Sequence, residues 1–96
     1  MNAKELGVQR YNNRFRILEA LDRHDPPLSP PDIARKTGKS VQAVWKTING
    51  QSHSEEILRS LRAHGVSEKY LFDPRKLGVP VRPNGMTARR KQREVA

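Results

Sequence analysis

The chain of 96 residues contains no cysteine, which excludes disulfide bonds and cysteine-based metal sites. No apolar run approaches the roughly 20 residues that a membrane-spanning helix needs, and the opening MNAKELGVQR lacks the apolar segment of a secretory signal. The G-x-G-x-x-G, P-loop and H-E-x-x-H motifs are absent, and no catalytic pair of carboxylates or nucleophile with its base stands out. We therefore expect a cytoplasmic protein that is not an enzyme, needs no cofactor and does not enter a membrane.

The three histidines are scattered along the chain. His24, His53 and His64 have no neighbouring residues at metal-ligand spacing. The sequence places each at the surface or at a helix end and predicts no metal site.

Positive charge is abundant. The formal net charge is +9, with hydrophobic residues at 34% and charged residues at 30%. Residues 73–96 carry seven basic and two acidic side chains, and residues 1–72 carry twelve and eight, so the folded part stays basic without the tail. This excess favours a polyanionic partner, either nucleic acid or an anionic membrane face.

A helical pattern begins at Asn13. Phe15, Leu18 and Leu21 recur at helical spacing, and Ile17 lies four residues before Leu21, which predicts one apolar face. The Asp-Pro-Pro sequence at 25–27 ends this helix. Leu28 then follows as the one apolar residue of the loop, and we expect its side chain to pack against the core.

Residues 30–50, PPDIARKTGKSVQAVWKTING, predict two short helices joined by a tight turn. Ser29 and Asp32 form a capping box for the first helix, which Gly38 closes in the left-handed conformation. Ser40 caps the second helix, 41–48. This is the arrangement of a helix-turn-helix, whose second helix enters the DNA major groove.

Further helices complete the predicted domain. Ser54 caps a helix that ends at Gly65, and a short turn with Leu71 closes the core. The sequence thus predicts an all-α fold of four to five short helices with a flexible basic C-terminal tail. Its parts are an N-terminal arm at 1–12, a helix-turn-helix domain at 13–72 and a Pro/Gly-containing tail at 73–96.

Candidate DNA contacts follow from this geometry, because the outer face of a recognition helix meets base edges and its ends meet phosphates. The predicted base-reading residues are Val41, Gln42, Trp45 and Lys46. The predicted phosphate contacts are Lys39, Ser40, Asn49, Gln51, Ser52 and His53. For Trp45, a place in the core and a place on the surface both fit the sequence.

A basic cluster near the C-terminus adds an electrostatic feature, made of Arg89, Arg90, Lys91 and Arg93. These four side chains can follow a phosphate strand, enter a minor groove, or simply keep the tail soluble.

The run IARKTGKSVQAVWKTING at 33–50 resembles the lambda-repressor-like helix-turn-helix superfamily. The pattern V-x-x-x-I-N-G at 44–50, followed by a serine-bearing loop, is similar to small Ner-like phage and prophage regulators. The resemblance implies a helical domain that contacts DNA through the turn and the start of its second helix. Lys39 and Thr47 depart from positions that are usually aliphatic in that family.

The sequence therefore predicts a sequence-specific double-stranded DNA-binding transcriptional regulator, a phage or prophage repressor associated with the host nucleoid. A homodimer on paired half-sites is possible. Two alternatives remain open at this point. One is a protein-protein adaptor or assembly factor built on the same bundle, and the other is a tail-led RNA-binding or architectural protein.

Overall fold

The computed structural model describes residues 2–81, and the only regular secondary structure in this part of the chain is α-helix. The all-α prediction is confirmed, with six helices where four to five were expected. The helices are α1 (Ala3–Asn12), α2 (Arg14–Asp22), α3 (Pro30–Thr37), α4 (Val41–Ile48), α5 (Glu55–Ala63) and α6 (Glu68–Leu71). Within residues 2–81 no helix combines the length and the apolar content needed to cross a bilayer.

One hydrophobic core joins α2 to α6, with α3 packed against both α4 and α5. Leu28 packs against the core from the α2–α3 loop, as predicted. The buried apolar side chains of this cluster are Ile17, Leu21, Ile33, Ala34, Val44, Ile48, Ile57, Leu58, Leu61, Val66 and Leu71. The core therefore fixes α3 and α4 on the rest of the bundle.

The inward face of α2 differs from the prediction at Phe15. This side chain is 67% exposed, whereas Ile17 and Leu21 are fully buried. A break at Asn13 separates α1 from α2, and α2 turns the stripe of Ile17 and Leu21 toward the core. The assignment of Phe15 to the apolar core face is therefore wrong.

Residues 3–12 form α1 instead of the predicted N-terminal arm. Asn2 and Glu5 form a capping box, in which the Asn2 side chain accepts from the Glu5 N–H at 2.8 Å. Leu6 and Arg10 are buried one turn apart on the inner side of this helix. Gly7 has a low helix propensity, and it nevertheless lies inside α1 because tertiary packing overrides that propensity.

Gly7 lies directly against Gly50, which follows α4. A Cβ atom added to either glycine would overlap main-chain atoms of the other. Gly50 also has a φ of 78°, in the left-handed region. The two glycines thus let α1 approach the end of α4 backbone to backbone.

The folded part continues past residue 72. Asp73 and Pro74 are buried, and the Asp73 carboxylate accepts from Arg62 Nη2 at 2.9 Å and from the Arg75 N–H at 3.1 Å. The predicted tail therefore does not start at 73. Its remainder from 82 to 96, with Arg89, Arg90, Lys91 and Arg93, lies outside the described residues.

Candidate nucleic-acid interface

The α3–α4 unit begins and ends with the local signals that the sequence contains. Ser29 donates from its N–H and its hydroxyl to the Asp32 carboxylate, each at 2.8 Å, and these bonds lower the pKa of Asp32. Gly38 ends α3 with a φ of 72°. Ser40 then caps α4, its Oγ accepting from the Ala43 N–H at 3.0 Å. The predicted caps and turn are confirmed.

The helix α4 has one buried and one exposed face. Val44, Thr47 and Ile48 are fully buried. The four predicted base-reading residues are all exposed on the other side of the helix, and they are Val41, Gln42, Trp45 and Lys46. A single helix thus exposes an apolar, an amide, an aromatic and a cationic side chain.

Trp45 is on the surface. Its side chain is 39% exposed, as is that of Val41 one turn earlier. The buried face of α4 is formed by Val44 and Ile48, one residue before and three residues after Trp45. Trp45 itself therefore points away from that face. The structure therefore resolves the question in favour of an outward tryptophan.

Thr47 occupies a core position although it is polar. Its hydroxyl donates to the main-chain oxygen of Ala43, one turn earlier, at 2.9 Å. This bond satisfies the hydroxyl inside the helix, so Thr47 fills a place that is usually aliphatic without leaving a buried polar atom unpaired.

Lys39 and Ser40, at the start of α4, are both exposed. Lys39 Nζ lies 3.3 Å from Oε2 of Glu56 on α5, and hydrogen bonding from Lys39 lowers the pKa of Glu56. Exposed ion pairs of this kind contribute little to stability. The Lys39 ammonium group can therefore leave the Glu56 carboxylate and pair with a phosphate instead.

The loop after α4 folds back on the helix. The N–H groups of Gln51 and Ser52 both donate to the main-chain oxygen of Lys46, at 2.9 and 3.2 Å. Asn49 ends the helix and is half-buried, and Gln51 is exposed. These contacts fix the predicted phosphate-binding segment close to the exposed face of α4.

Arg10 of α1 holds this loop from inside, a role that the sequence analysis did not identify. The side chain is fully buried, and its Nη1 donates to the main-chain oxygens of Thr47 and Ser52 at 2.9 and 2.8 Å. Its Nε donates to the main-chain oxygen of Leu71. Burial lowers the pKa of Arg10 to about 10, against the opposing effect of Asp73, so the guanidinium remains charged at neutral pH.

The ring of His53 belongs to the same network. Its Nδ1 lies 2.9 Å from Arg10 Nη2, which as a guanidinium nitrogen can only donate. Burial first, and then the charge of Arg10, lower the pKa of His53. The ring is thus a neutral hydrogen-bond acceptor facing α1. Its predicted contact with phosphate stays a prediction.

A groove of about 810 Å³ lies between α1 and the α4–α5 loop. Asn49, Gln51 and His53 line one side, and Lys4 and Tyr11 of α1 line the other. Lys4 was not among the predicted contacts because residues 1–12 were assigned to an arm. Asn2 and Glu5 have the spacing of a capping box. This signal in the sequence would have placed Lys4 on a helix.

Metal or cofactor ligands do not cluster in this region. Within residues 2–81, no group of three or more His, Asp or Glu side chains is arranged to hold an ion. The chemistry that the surface offers is hydrogen bonding, cationic contact and aromatic stacking. These are the interactions that proteins use on nucleic acids.

The family model for winged helix-turn-helix DNA-binding domains matches residues 12–49. This segment contains α2, α3 and α4, with the tight turn at Gly38. It is a helix-turn-helix of the DNA-binding superfamily. In helix-turn-helix proteins the second helix of the motif, called the recognition helix, enters the major groove of double-stranded DNA. In this chain α4 occupies that position. No curated protein and no solved structure matches the chain.

The helix-turn-helix has no wing in the part of the chain that the structure describes. A wing is a β-hairpin, and residues 2–81 contain no strand. The recognition helix is followed instead by α5 and α6. Within residues 2–81, any contact beside the major groove would therefore come from helices or loops.

Proposed function

We propose that this chain is a sequence-specific regulator of transcription, of the phage or prophage repressor type, that reads the major groove with α4. The exposed face of α4 is the observation that carries the proposal. Gln42, Trp45 and Lys46 lie on it without a covering element among the described residues. A phage-type repressor is also supported by the likeness of residues 44–50 to small Ner-like regulators.

Each side chain of this face has a distinct role in the proposal. Gln42 makes a bidentate pair with adenine, and Lys46 donates to guanine acceptors or to a phosphate. Val41 contacts a thymine methyl group. Trp45 lies along the sugar-phosphate backbone at the edge of the groove. Together these contacts would discriminate between base pairs.

Phosphate contacts would set the position of α4 on the duplex. Lys39 and Ser40 act at the start of the helix, and Asn49, Gln51 and Ser52 at its end. His53 acts mainly through the loop, since its ring bonds to Arg10. The cluster of Arg89, Arg90, Lys91 and Arg93 would add affinity by releasing counterions from the DNA.

A selection of bound sequences from a random duplex library tests the proposal, with the full chain at moderate salt. Enrichment of one motif supports specific readout. Two inverted copies at one fixed spacing support binding as a homodimer. Measurable binding without an enriched motif would contradict sequence-specific readout.

An adaptor that uses the same face for a protein partner is the second candidate. Val41 and Trp45 favour it, because they form an apolar pair one turn apart and each is 39% exposed. In that case Trp45→Ala would abolish partner binding and leave weak, sequence-blind DNA binding unchanged. Loss of affinity for the selected duplex in Trp45→Ala would argue for the DNA role.

A further inference from the structure

Two histidines face each other in a groove away from the helix-turn-helix turn. The groove has a volume of about 400 Å³ and lies between the end of α2 and the end of α5. The rings of His24 and His64 have centroids 5.3 Å apart with an angle of 61° between their planes. Both side chains are half-buried, so they are held in place and still accessible.

The tautomer of both rings follows from their hydrogen bonds. Nδ1 of His24 lies 3.0 Å from the main-chain oxygen of Pro26, and Nδ1 of His64 lies 2.7 Å from that of Ser60. A carbonyl oxygen can only accept, so each Nδ1 must carry the hydrogen. When the rings are neutral, each Nε2 therefore has a free lone pair. A histidine that binds a metal is oriented by the same kind of bond.

The spacing of the rings fits a shared ion. An ion bound at about 2.1 Å from both Nε2 atoms in tetrahedral geometry holds the two ring centroids about 5 Å apart. The observed separation of 5.3 Å agrees with this value. We propose that His24 and His64 form a two-histidine site for a divalent ion of the Zn²⁺, Cu²⁺ or Ni²⁺ class, which imidazole ligands suit.

Glu19 also lines this groove, and its carboxylate can supply a compensating negative charge. Its carboxylate now lies 3.7 Å from Arg16 Nη1 and 3.8 Å from Arg23 Nη2, and all three side chains are largely exposed. Such pairs are weak, so rotation of Glu19 toward an ion costs little. The two arginines oppose a cation. With two histidine ligands and this opposition, the affinity is expected to be micromolar, well below that of four-ligand structural zinc sites.

The ion would connect the end of α2 to the end of α5 and stabilise the folded chain by mass action. At an ion concentration about 100 times the Kd, the melting temperature should rise by about 10 °C or more. This inference does not rest on DNA binding, because neither histidine belongs to α3 or α4.

Calorimetric titration of the untagged, chelator-treated full chain with Zn²⁺ at pH 7.5 tests the site, together with melting curves in Zn²⁺ and in chelator. His24→Gln and His64→Gln should each weaken binding at least tenfold and remove the rise in melting temperature. His53→Gln is the matched control and should keep both, because Nδ1 of His53 already accepts from Arg10.

Nitrogen-15 NMR of the wild-type chain tests the same site without a substitution. Zn²⁺ should shift the Nε2 signals of His24 and His64 and leave those of His53 in place. The proposal is overturned if millimolar Zn²⁺ gives neither heat nor a shift in melting temperature. It is also overturned if either His24→Gln or His64→Gln binds like the wild type, or if the NMR shifts fall on His53.

Discussion

Arg10 of α1 donates a hydrogen bond of 2.9 Å to the main-chain oxygen of Thr47, in the last turn of the recognition helix. The last carbonyls of a helix have no partner within it. That of Thr47 accepts from the Gly50 N–H at 3.1 Å just after the helix and also from Arg10, which lies 37 residues away in sequence. The same guanidinium group donates to the main-chain oxygens of Ser52 and Leu71. The position of α4 thus depends on α1.

Replacing Arg10 by Met should lower the free energy of unfolding by about 3 kcal/mol or more, because buried carbonyl oxygens lose a charged donor. Urea denaturation measures the change. Lys4→Met removes the same charge from an exposed position of α1 and should stay within about 0.5 kcal/mol of the wild type. Equal stability of the two variants would mean that the Arg10 network contributes nothing.

Gly7→Ala should destabilise the chain by about 1–3 kcal/mol, because the new methyl group overlaps the main-chain oxygen of Gly50. Thermal unfolding gives the change and, more usefully, its sign. In an open helix the same substitution stabilises by roughly 0.5–1 kcal/mol. A higher melting temperature in Gly7→Ala would therefore show that α1 does not approach Gly50 closely.

The stability of the chain should fall as the pH drops below 6.5, the ordinary pKa of histidine. The folded state lowers the pKa of His53, first through burial and then through Arg10. Between this lowered pKa and 6.5 the unfolded chain binds more protons, so the free energy of unfolding rises with pH.

His53→Gln keeps an acceptor for Arg10 without a titrating group. Urea denaturation from pH 5 to 7.5 should give a flatter pH dependence for this variant than for the wild type. Parallel curves for the two proteins would assign the acid sensitivity to other groups.

Glu56→Gln should tighten DNA binding about two- to tenfold at moderate salt, because it releases Lys39 toward a phosphate and removes a negative charge beside it. Fluorescence anisotropy on one duplex measures the ratio. Glu55→Gln makes the same change in charge at the neighbouring position, where the carboxylate pairs with Arg59 at 3.0 Å. Equal tightening in both variants would indicate a general charge effect without a role for Lys39.

Short-range signals made the helix-turn-helix predictable from the sequence. The Ser29–Asp32 box, the left-handed Gly38 and the Ser40 cap each act within a few residues. The alternation of Val44 and Ile48 with exposed residues fixed the outer face of α4. These features do not depend on the rest of the fold, so pattern and capping rules were sufficient.

Long-range contacts explain what the sequence did not reveal. Arg10 is buried only because carbonyl oxygens from Thr47, Ser52 and Leu71 converge on it. Gly7 tolerates a helix because Gly50 packs against it. Phe15 and Ile17 are both apolar, and only the packing of α2 against the core determines that Ile17 is buried and Phe15 exposed. None of these long-range contacts produces a periodic pattern in the sequence.

The central claim is that α4 reads base pairs, and a paired selection tests it most directly. Wild type and Gln42→Ala would each select from the same random duplex library at the same salt concentration. The account predicts that the variant loses preference at one base position of the motif, at a cost of about 1–3 kcal/mol there, and keeps the other positions. An unchanged motif with uniformly weaker binding, or no motif from either protein, would contradict the account.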